Sequence, residues 1–297
     1  MTVVWKTLLV DDGTIPAVLN RDRIVFTTQT PTDLSPVIAV MEPDGSGVEL
    51  LGPGMEPQWS PDGKRIAFIR SIGDGSTGIF VMDADGTHLR RLTTNPSGLD
   101  ENPSWSPGGG SILFSRSTFV TTTPDPVATI ARRDLYTVRS DGTGATKLLG
   151  GPTDDFAPEW SPDGTRLGFV RMVDPAGQGP QGLPQVWTLG VDGRKAAQLT
   201  HLEQGSFRFD WSPDGSSLLV DAACAIFFVD VDTGEATRLR FDRKVMCPSD
   251  PAWSADGTRI TFTAGPDDDH NIYVADAEGS EVMRLTGPAG HDNEAAW

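Results

Sequence analysis

Five copies of one motif set the terms for this chain. "PQWSPDGKRIAF" begins at Pro57, "PSWSPGGGSILF" at Pro103, "PEWSPDGTRLGF" at Pro158, "FDWSPDGSSLLV" at Phe209 and "PAWSADGTRITF" at Pro251. Their tryptophans, Trp59, Trp105, Trp160, Trp211 and Trp253, lie 46, 55, 51 and 42 residues apart, and Trp297 follows 44 residues later. A self-similar period in the forties is the signature of blades stacked around an axis, because the shorter coils of a solenoid repeat faster.

Each unit divides into four strand-sized pieces. The first is short and carries the Trp. The second is almost wholly apolar, as in "RIAFI" and "RITFT". The third is also apolar and runs into an acidic glycine turn, as in "IFVMDADG" and "IYVADAEG". The fourth alternates and carries Arg, as in "LRRLT" and "ATRLR". Strands apolar on both faces are sandwiched between sheets. A last strand that alternates and bears charge is an edge meeting water. In Ser-Pro-Asp-Gly, Pro presets φ, Asp bonds its own backbone and Gly takes the left-handed conformation.

Counting closes the ring. Before the first complete unit, "RDRIVFTTQ", "VIAVMEPDG" and "VELLG" supply second, third and fourth strands. Aligning Phe26 with Phe68 puts Ala17 where the inner Trp belongs. The N-terminal blade therefore lacks its innermost strand, and the C-terminus has one to spare. Trp297 is expected to enter the N-terminal blade as that strand. The expected fold is an all-β, six-bladed β-propeller over residues 20–297, with residues 1–19 outside the repeat.

The repeated Trp-Ser-Pro-Asp-Gly and the "IYVADAEG"-type turn make the chain similar to the TolB-type six-bladed propellers, a WD-repeat-like family. Gly108 in place of Asp and Ala255 in place of Pro depart from the pattern. The resemblance implies a non-catalytic module serving in protein complexes of the bacterial envelope.

Charge narrows the partners. The net charge of -17 argues against nucleic acid and anionic membranes, both of which call for basic patches. Asp supplies 31 of the 41 acids, and Asp is the turn-forming acid, so part of this charge is turn chemistry. No apolar run is long enough for a membrane-spanning helix. The start, "MTVVWKTLLVDDG", does not read as a secretory leader, which favours the cytoplasm; a trimmed leader would leave an exported protein. The chain is expected to be a monomer.

Strand alternation places the second-to-third loops and the inter-blade connectors on one face. The variable segments fall there: "TFVTTTPDPVATIARR" from Thr118 and "MVDPAGQGPQGLP" from Met172. Variable loops on a rigid scaffold are where function collects. Three residues before each Trp stand Glu56, Asn102, Ala157, Arg208, Asp250 and Glu294, expected as a ring at the channel mouth. Asp100, Glu101, Asp155 and Asp292 are expected just above it. Such a rim could dock a protein or peptide with a basic patch, helped by the loop residues Phe119, Val120 and Leu183. It could hold Ca²⁺ or another divalent cation, which wants several oxygen ligands. It could also simply cap loops by accepting backbone N–H bonds.

His201, His270 and His291 fall on the same face. With the acids they could ligate a metal, which would make the chain a metal-dependent lyase or hydrolase, for instance on acidic sugars. They come from separate loops without ligand spacing. No phosphate loop and no Gly-x-Ser-x-Gly elbow with partners occurs, so no catalytic residue is assigned and binding is the favoured function. Cys224 and Cys247 share the long-loop face of one blade; a disulfide and two free thiols are both compatible with this.

Overall fold

The computed structural model describes residues 23–30, 33–73, 75–121, 128–173, 182–266, 270–287 and 291–297. The segment 1–19 and Trp5 lie outside the described residues. Among the described residues, twenty-four strands form six four-stranded antiparallel sheets arranged as a six-bladed β-propeller.

Blade 1 joins β1 (Ile24–Thr30), β2 (Asp33–Met41) and β3 (Glu49–Pro53) to β24 (His291–Ala296), in the order β24-β1-β2-β3. The last strand is thus the innermost of the first blade, with Val25 opposite Ala296 and Thr27 opposite Asn293. Trp297 packs with Leu285 against the Ile24, Phe26 and Ala39 cluster, and Arg259 lies 4.7 Å above its ring. The pairing of β24 with β1 closes the ring.

The other blades are consecutive in sequence. Blade 2 opens with β4 (Met55–Trp59) and blade 3 with β8 (Asp100–Trp105). Blade 4 opens with β12 (Asp155–Trp160), blade 5 with β16 (Phe209–Trp211) and blade 6 with β20 (Ser249–Trp253). The core is a set of inter-blade layers. Val25, Ile38 and Val40 of blade 1 meet Trp59, Ile66 and Phe68 of blade 2, and the Trp59 indole N–H donates to the Arg23 carbonyl at 3.0 Å. Nine residues after the Trp, the centre of the second strand is a fully buried Phe in blades 2, 3, 4 and 6: Phe68, Phe114, Phe169 and Phe262. Blade 5 places Val220 there.

The Ser-Pro-Asp-Gly turns behave as their composition dictates. The Ser60 hydroxyl donates to Asp62 Oδ1 at 2.6 Å, and the Arg65 N–H donates back to Ser60 Oγ at 2.9 Å. The same lock recurs at Ser161–Asp163, Ser212–Asp214 and Ser254–Asp256. These hydrogen bonds hold Asp163 and Asp214 down at about 2. In the acidic glycine turn of blade 1, Gly45 has φ +82°, and a Cβ there would lie 2.7 Å from the Leu285 carbonyl of blade 6. Only glycine lets that turn sit against its neighbour.

The long segment of blade 3 is not a loop throughout. β9 (Ser111–Thr121) and β10 (Ala128–Arg139) extend the hairpin well past the blade, with Phe119 paired to Ile130. The β-branched residues there favour strand over loop.

Candidate functional site

The first strands run along the axis and enclose a channel of about 360 Å³. Its mouth is lined by Glu56, Asn102, Ala157, Arg208, Asp250 and Glu294, one from each blade. Five of these are in the left-handed region, with φ between 46° and 54°: Glu56, Asn102, Ala157, Asp250 and Glu294. Each sits at a shift of register between first and second strands. The slot is therefore a β-bulge, which re-aims one side chain per blade. Blade 5 differs: β16 pairs with β17 (Ser217–Ala222) in continuous register, and Arg208 has no positive φ.

The carboxylates first act as stitches between blades. Glu294 Oε2 accepts from the Glu56 N–H at 2.9 Å and from the Thr27 hydroxyl at 2.8 Å. Glu56 Oε2 accepts from the Asn102 N–H at 2.6 Å, and Asn102 Oδ1 from the Ala157 N–H at 3.3 Å. The side chains of Glu294, Glu56 and Asn102 thus satisfy the backbone of the next blade, where a bulge leaves an N–H without a ladder partner. Asp221, at the end of β17, serves blades 5 and 6. It accepts from the N–H groups of Phe207, Arg208 and Asp250.

Electrostatics sets the mouth apart from a mere set of caps. Arg208 reaches Glu56 on the diametrically opposite blade, Nη2 to Oε1 at 3.2 Å, and its Nε lies 3.5 Å from Asp250 Oδ1. It is the only basic residue among the six slots. Burial, then the charges of Glu56 and Asp250, push Glu294 up to about 7 against the opposing effect of Arg208. Burial and then Asp250 push Asp221 up to about 6. Glu101 is raised by burial and then by Glu56, and its Oε2 is buried without a hydrogen-bond partner.

Deeper in the channel, one residue before the Trp, Glu159 and Asp210 come from neighbouring blades. Asp210 Oδ2 accepts from the Trp253 N–H at 2.6 Å, yet burial still pushes this carboxyl up to about 7. Glu159 is raised by burial and by the Asp210 charge. Sequence reasoning missed this pair, although both stand in the register position that carries Gln58, Ser104, Ala252 and Ala296 in the other blades.

The remaining rim residues are placed differently from their expectation. Asp100 is fully buried and grips Arg116 bidentately, Nε to Oδ1 and Nη2 to Oδ2, both at 2.6 Å. Asp155 does the same with Arg171, at 2.6 and 2.8 Å. Both acids belong to the blade walls, because an arginine on the adjacent strand neutralises them where they would otherwise face water. Asp292 is buried as well.

On the surface around the mouth, Leu183 opens strand β14 (Leu183–Gly190) and is 42% exposed, while Phe119 is half-buried within β9. The Val120 side chain lies outside the described residues. Two apolar residues not singled out from sequence are more exposed: Phe207 at 57% and Met246 at 53%, both on connectors flanking blade 5. The Ser206 N–H donates to the Pro184 carbonyl, which seats the Phe207 connector beside Leu183. Cys247, next to Met246, forms a disulfide with Cys224 in the tight turn of blade 5.

The histidines are dispersed. His201 is exposed and contacts the Gln198 amide, and His270 accepts through its carbonyl from the Asp292 N–H. His291 opens β24, and its side chain lies outside the described residues. Among the described residues no group of three or more His, Cys, Asp or Glu is arranged to hold a metal ion. No described helix is long and apolar enough to cross a membrane.

No family model matches the chain. Among curated proteins, it is similar to a TolB homologue of Chlorobium luteolum, 31% identical over 116 residues, covering 39% of this chain and 23% of that protein. It is also similar to the Tol-Pal system protein TolB of Zymomonas mobilis, 39% identical over 74 residues, covering 24% of this chain and 16% of that one. The chain spans half or less of the length of the curated relatives it matches. Among solved structures, TolB from Acinetobacter baumannii superposes with a TM-score of 0.72 at 20% identity, over 93% of this chain and 66% of that one. An oligogalacturonate lyase in complex with manganese shares the fold at a TM-score of 0.56 and 14% identity, over 88% and 84% of the two chains. With six four-stranded blades and a closing strand drawn from the C-terminus, the chain is a six-bladed β-propeller, similar in fold and over part of its sequence to TolB proteins.

Proposed function

We propose that the chain is a non-catalytic binding module whose long-loop face docks a protein or peptide bearing a basic patch. The observation that carries this reading is the imbalance at the mouth: Glu56, Asp250 and Glu294 face a single cation, Arg208. A channel mouth with excess negative charge attracts cationic groups and focuses the field between its walls. Leu183, Phe207 and Met246 supply exposed apolar area beside it, the combination of apolar anchor and charged rim found at protein interfaces. The likeness to a Tol-Pal system protein favours a protein partner over a small molecule.

The disulfide Cys224–Cys247 favours an exported, oxidising compartment over the cytoplasm, since thiols in the cytosol are kept reduced. The metal-dependent lyase or hydrolase reading has the shared fold with a manganese-bound lyase behind it, and fold does not carry chemistry.

Binding of a fluorescent tetra-arginine amide, followed by anisotropy, tests the docking reading. The expected result is measurable binding that weakens as salt rises and weakens about tenfold in the Glu56→Gln, Asp250→Asn double variant. Binding of equal strength in that variant would refute the mouth as the docking site. Turnover of an acidic oligosaccharide on addition of Mn²⁺ would move the assignment to the enzyme reading.

A further inference from the structure

We propose that Arg208 is a built-in competitor: its guanidinium occupies the place of a partner's cationic side chain and bars the axial channel until the partner displaces it. This rests on the docking reading and adds a regulatory element to the same site.

Three independent features of blade 5 support it. First is reach. Blades 2 and 5 face each other across the ring, so the ion pair from Arg208 to Glu56 spans the full width of the mouth, while the contact to Asp250 ties it to the adjacent wall. Second is backbone. The other five slots are bulged and carry short or acidic side chains whose oxygens, where present, serve backbone or neighbouring groups. Blade 5 abandons the bulge and delivers a long cation over the channel instead. The Arg208 N–H is satisfied from within its own blade, by Asp221. Its side chain is therefore not needed to stitch backbone together, unlike those of Glu294, Glu56 and Asn102.

Third is accessibility. A third of the Arg208 side chain remains exposed, so an incoming cation can reach the same carboxylates and Arg208 has solvent to move into. Both of its acidic partners are more enclosed, Glu56 at 15% and Asp250 at 24%. The exchange swaps one cation for another on fixed acids, and the excess of carboxylates makes the mouth able to accept a cation before Arg208 has fully left. Glu159 and Asp210 line the same channel, and the Arg208 charge acts on Glu159.

The test compares affinities for the tetra-arginine amide among wild type, Arg208→Met and Arg194→Met. Arg194 is exposed on an acidic glycine turn of the opposite face, so its variant carries the same change in net charge without touching the mouth. The expected result is about tenfold tighter binding by Arg208→Met and a change within about twofold for Arg194→Met. Equal or weaker binding by a folded Arg208→Met, with wild type binding intact, overturns the competitor and leaves the docking reading standing. Equal tightening by both variants also overturns it, since net charge alone would then explain the gain. No binding by any of the three overturns the docking reading and the competitor with it. Should Arg208→Met fail to fold, Arg208→Lys keeps the charge and loses the planar fork and the reach to Glu56; it should bind the peptide more tightly than wild type, and unchanged or weaker binding overturns the competitor.

Discussion

Replacing Asp210 by Asn should stabilise the protein at neutral and alkaline pH and do nothing in acid. Asp210 faces the channel from β16, and burial raises its carboxyl from 3.8 to about 7. The sign follows from proton counting. Between about pH 4 and pH 7 the folded chain holds a proton on Asp210 that the unfolded chain has released, so wild-type stability falls as pH rises through that window and is level above it. A rise of about three units corresponds to roughly 4 kcal/mol, and channel water screens about half of it, leaving on the order of 2 kcal/mol. Asparagine is close in volume, and its amide oxygen can accept the Trp253 N–H that Asp210 Oδ2 now accepts at 2.6 Å. The substitution also removes the Asp210 charge that helps raise Glu159. Urea unfolding followed by tryptophan fluorescence, from pH 4.5 to 8.5, measures both chains. The variant should match wild type near pH 4.5 and exceed it by about 2 kcal/mol at pH 8. A difference independent of pH, which would mean an unshifted carboxyl, or a variant less stable than wild type at pH 8, which would mean groups that prefer it charged, would refute the reasoning.

Two further outcomes test the frame of the fold. Deleting residues 291–297 removes β24 and Trp297 from blade 1 and exposes the Val25, Ile24 and Phe26 layers; the loss should exceed the ~3–5 kcal/mol of a single buried Trp-to-Ala change, and an unchanged thermal midpoint would sink the closure. Asp100→Ala leaves the Arg116 guanidinium without its bidentate partner in the wall of blade 3 and should cost about 3–5 kcal/mol in denaturant unfolding, with Asp100→Ala, Arg116→Met recovering part of that loss.

Much of this architecture is legible from spacing, because a repeat turns one local rule into a global one. Trp297 could be assigned to the N-terminal blade since blade 1 lacks an inner Trp and no other blade does. The mouth residues could be grouped since each stands three residues before a Trp. What spacing leaves hidden is whom a charged side chain meets. Asp100 and Asp155 read as rim acids, but each stands five residues before its Trp while Arg116 and Arg171 stand eleven after. On antiparallel strands that register brings them together. Blade 2 keeps the arginine, Arg70, and has Gly54 in the acid position, so the pairing is a property of two blades and not of the repeat. The reach of Arg208 to the far wall has no counterpart in sequence distance at all. The extended hairpin of blade 3 was readable in principle from Thr118, Val120, Thr129 and Ile130, whose β-branching suits a strand better than a loop.

Symmetry itself explains why the departures gather where they do. Six equivalent slots filled alike with carboxylates would crowd like charges around one axis, and the cost of ionising each would rise with every neighbour. Glu294 is already raised, first by burial and then by the charge of Glu56. A ring built from a repeat must therefore break its own pattern at the mouth. The chain does so with a neutral Asn102, a side chain cut back to Ala157 and a reversed charge at Arg208. The last of these needs room, and blade 5 supplies it through linked changes. Phe209 replaces the usual proline beneath the slot, the bulge is lost, and Gly168 of blade 4 makes space for the Phe209 ring, where a Cβ would lie 2.6 Å from Cε2. The exposed Phe207 and the Cys224–Cys247 disulfide belong to the same blade and its connectors. Five blades thus maintain the ring, and the blade that fits the repeat least well is the one that gives the mouth its chemistry.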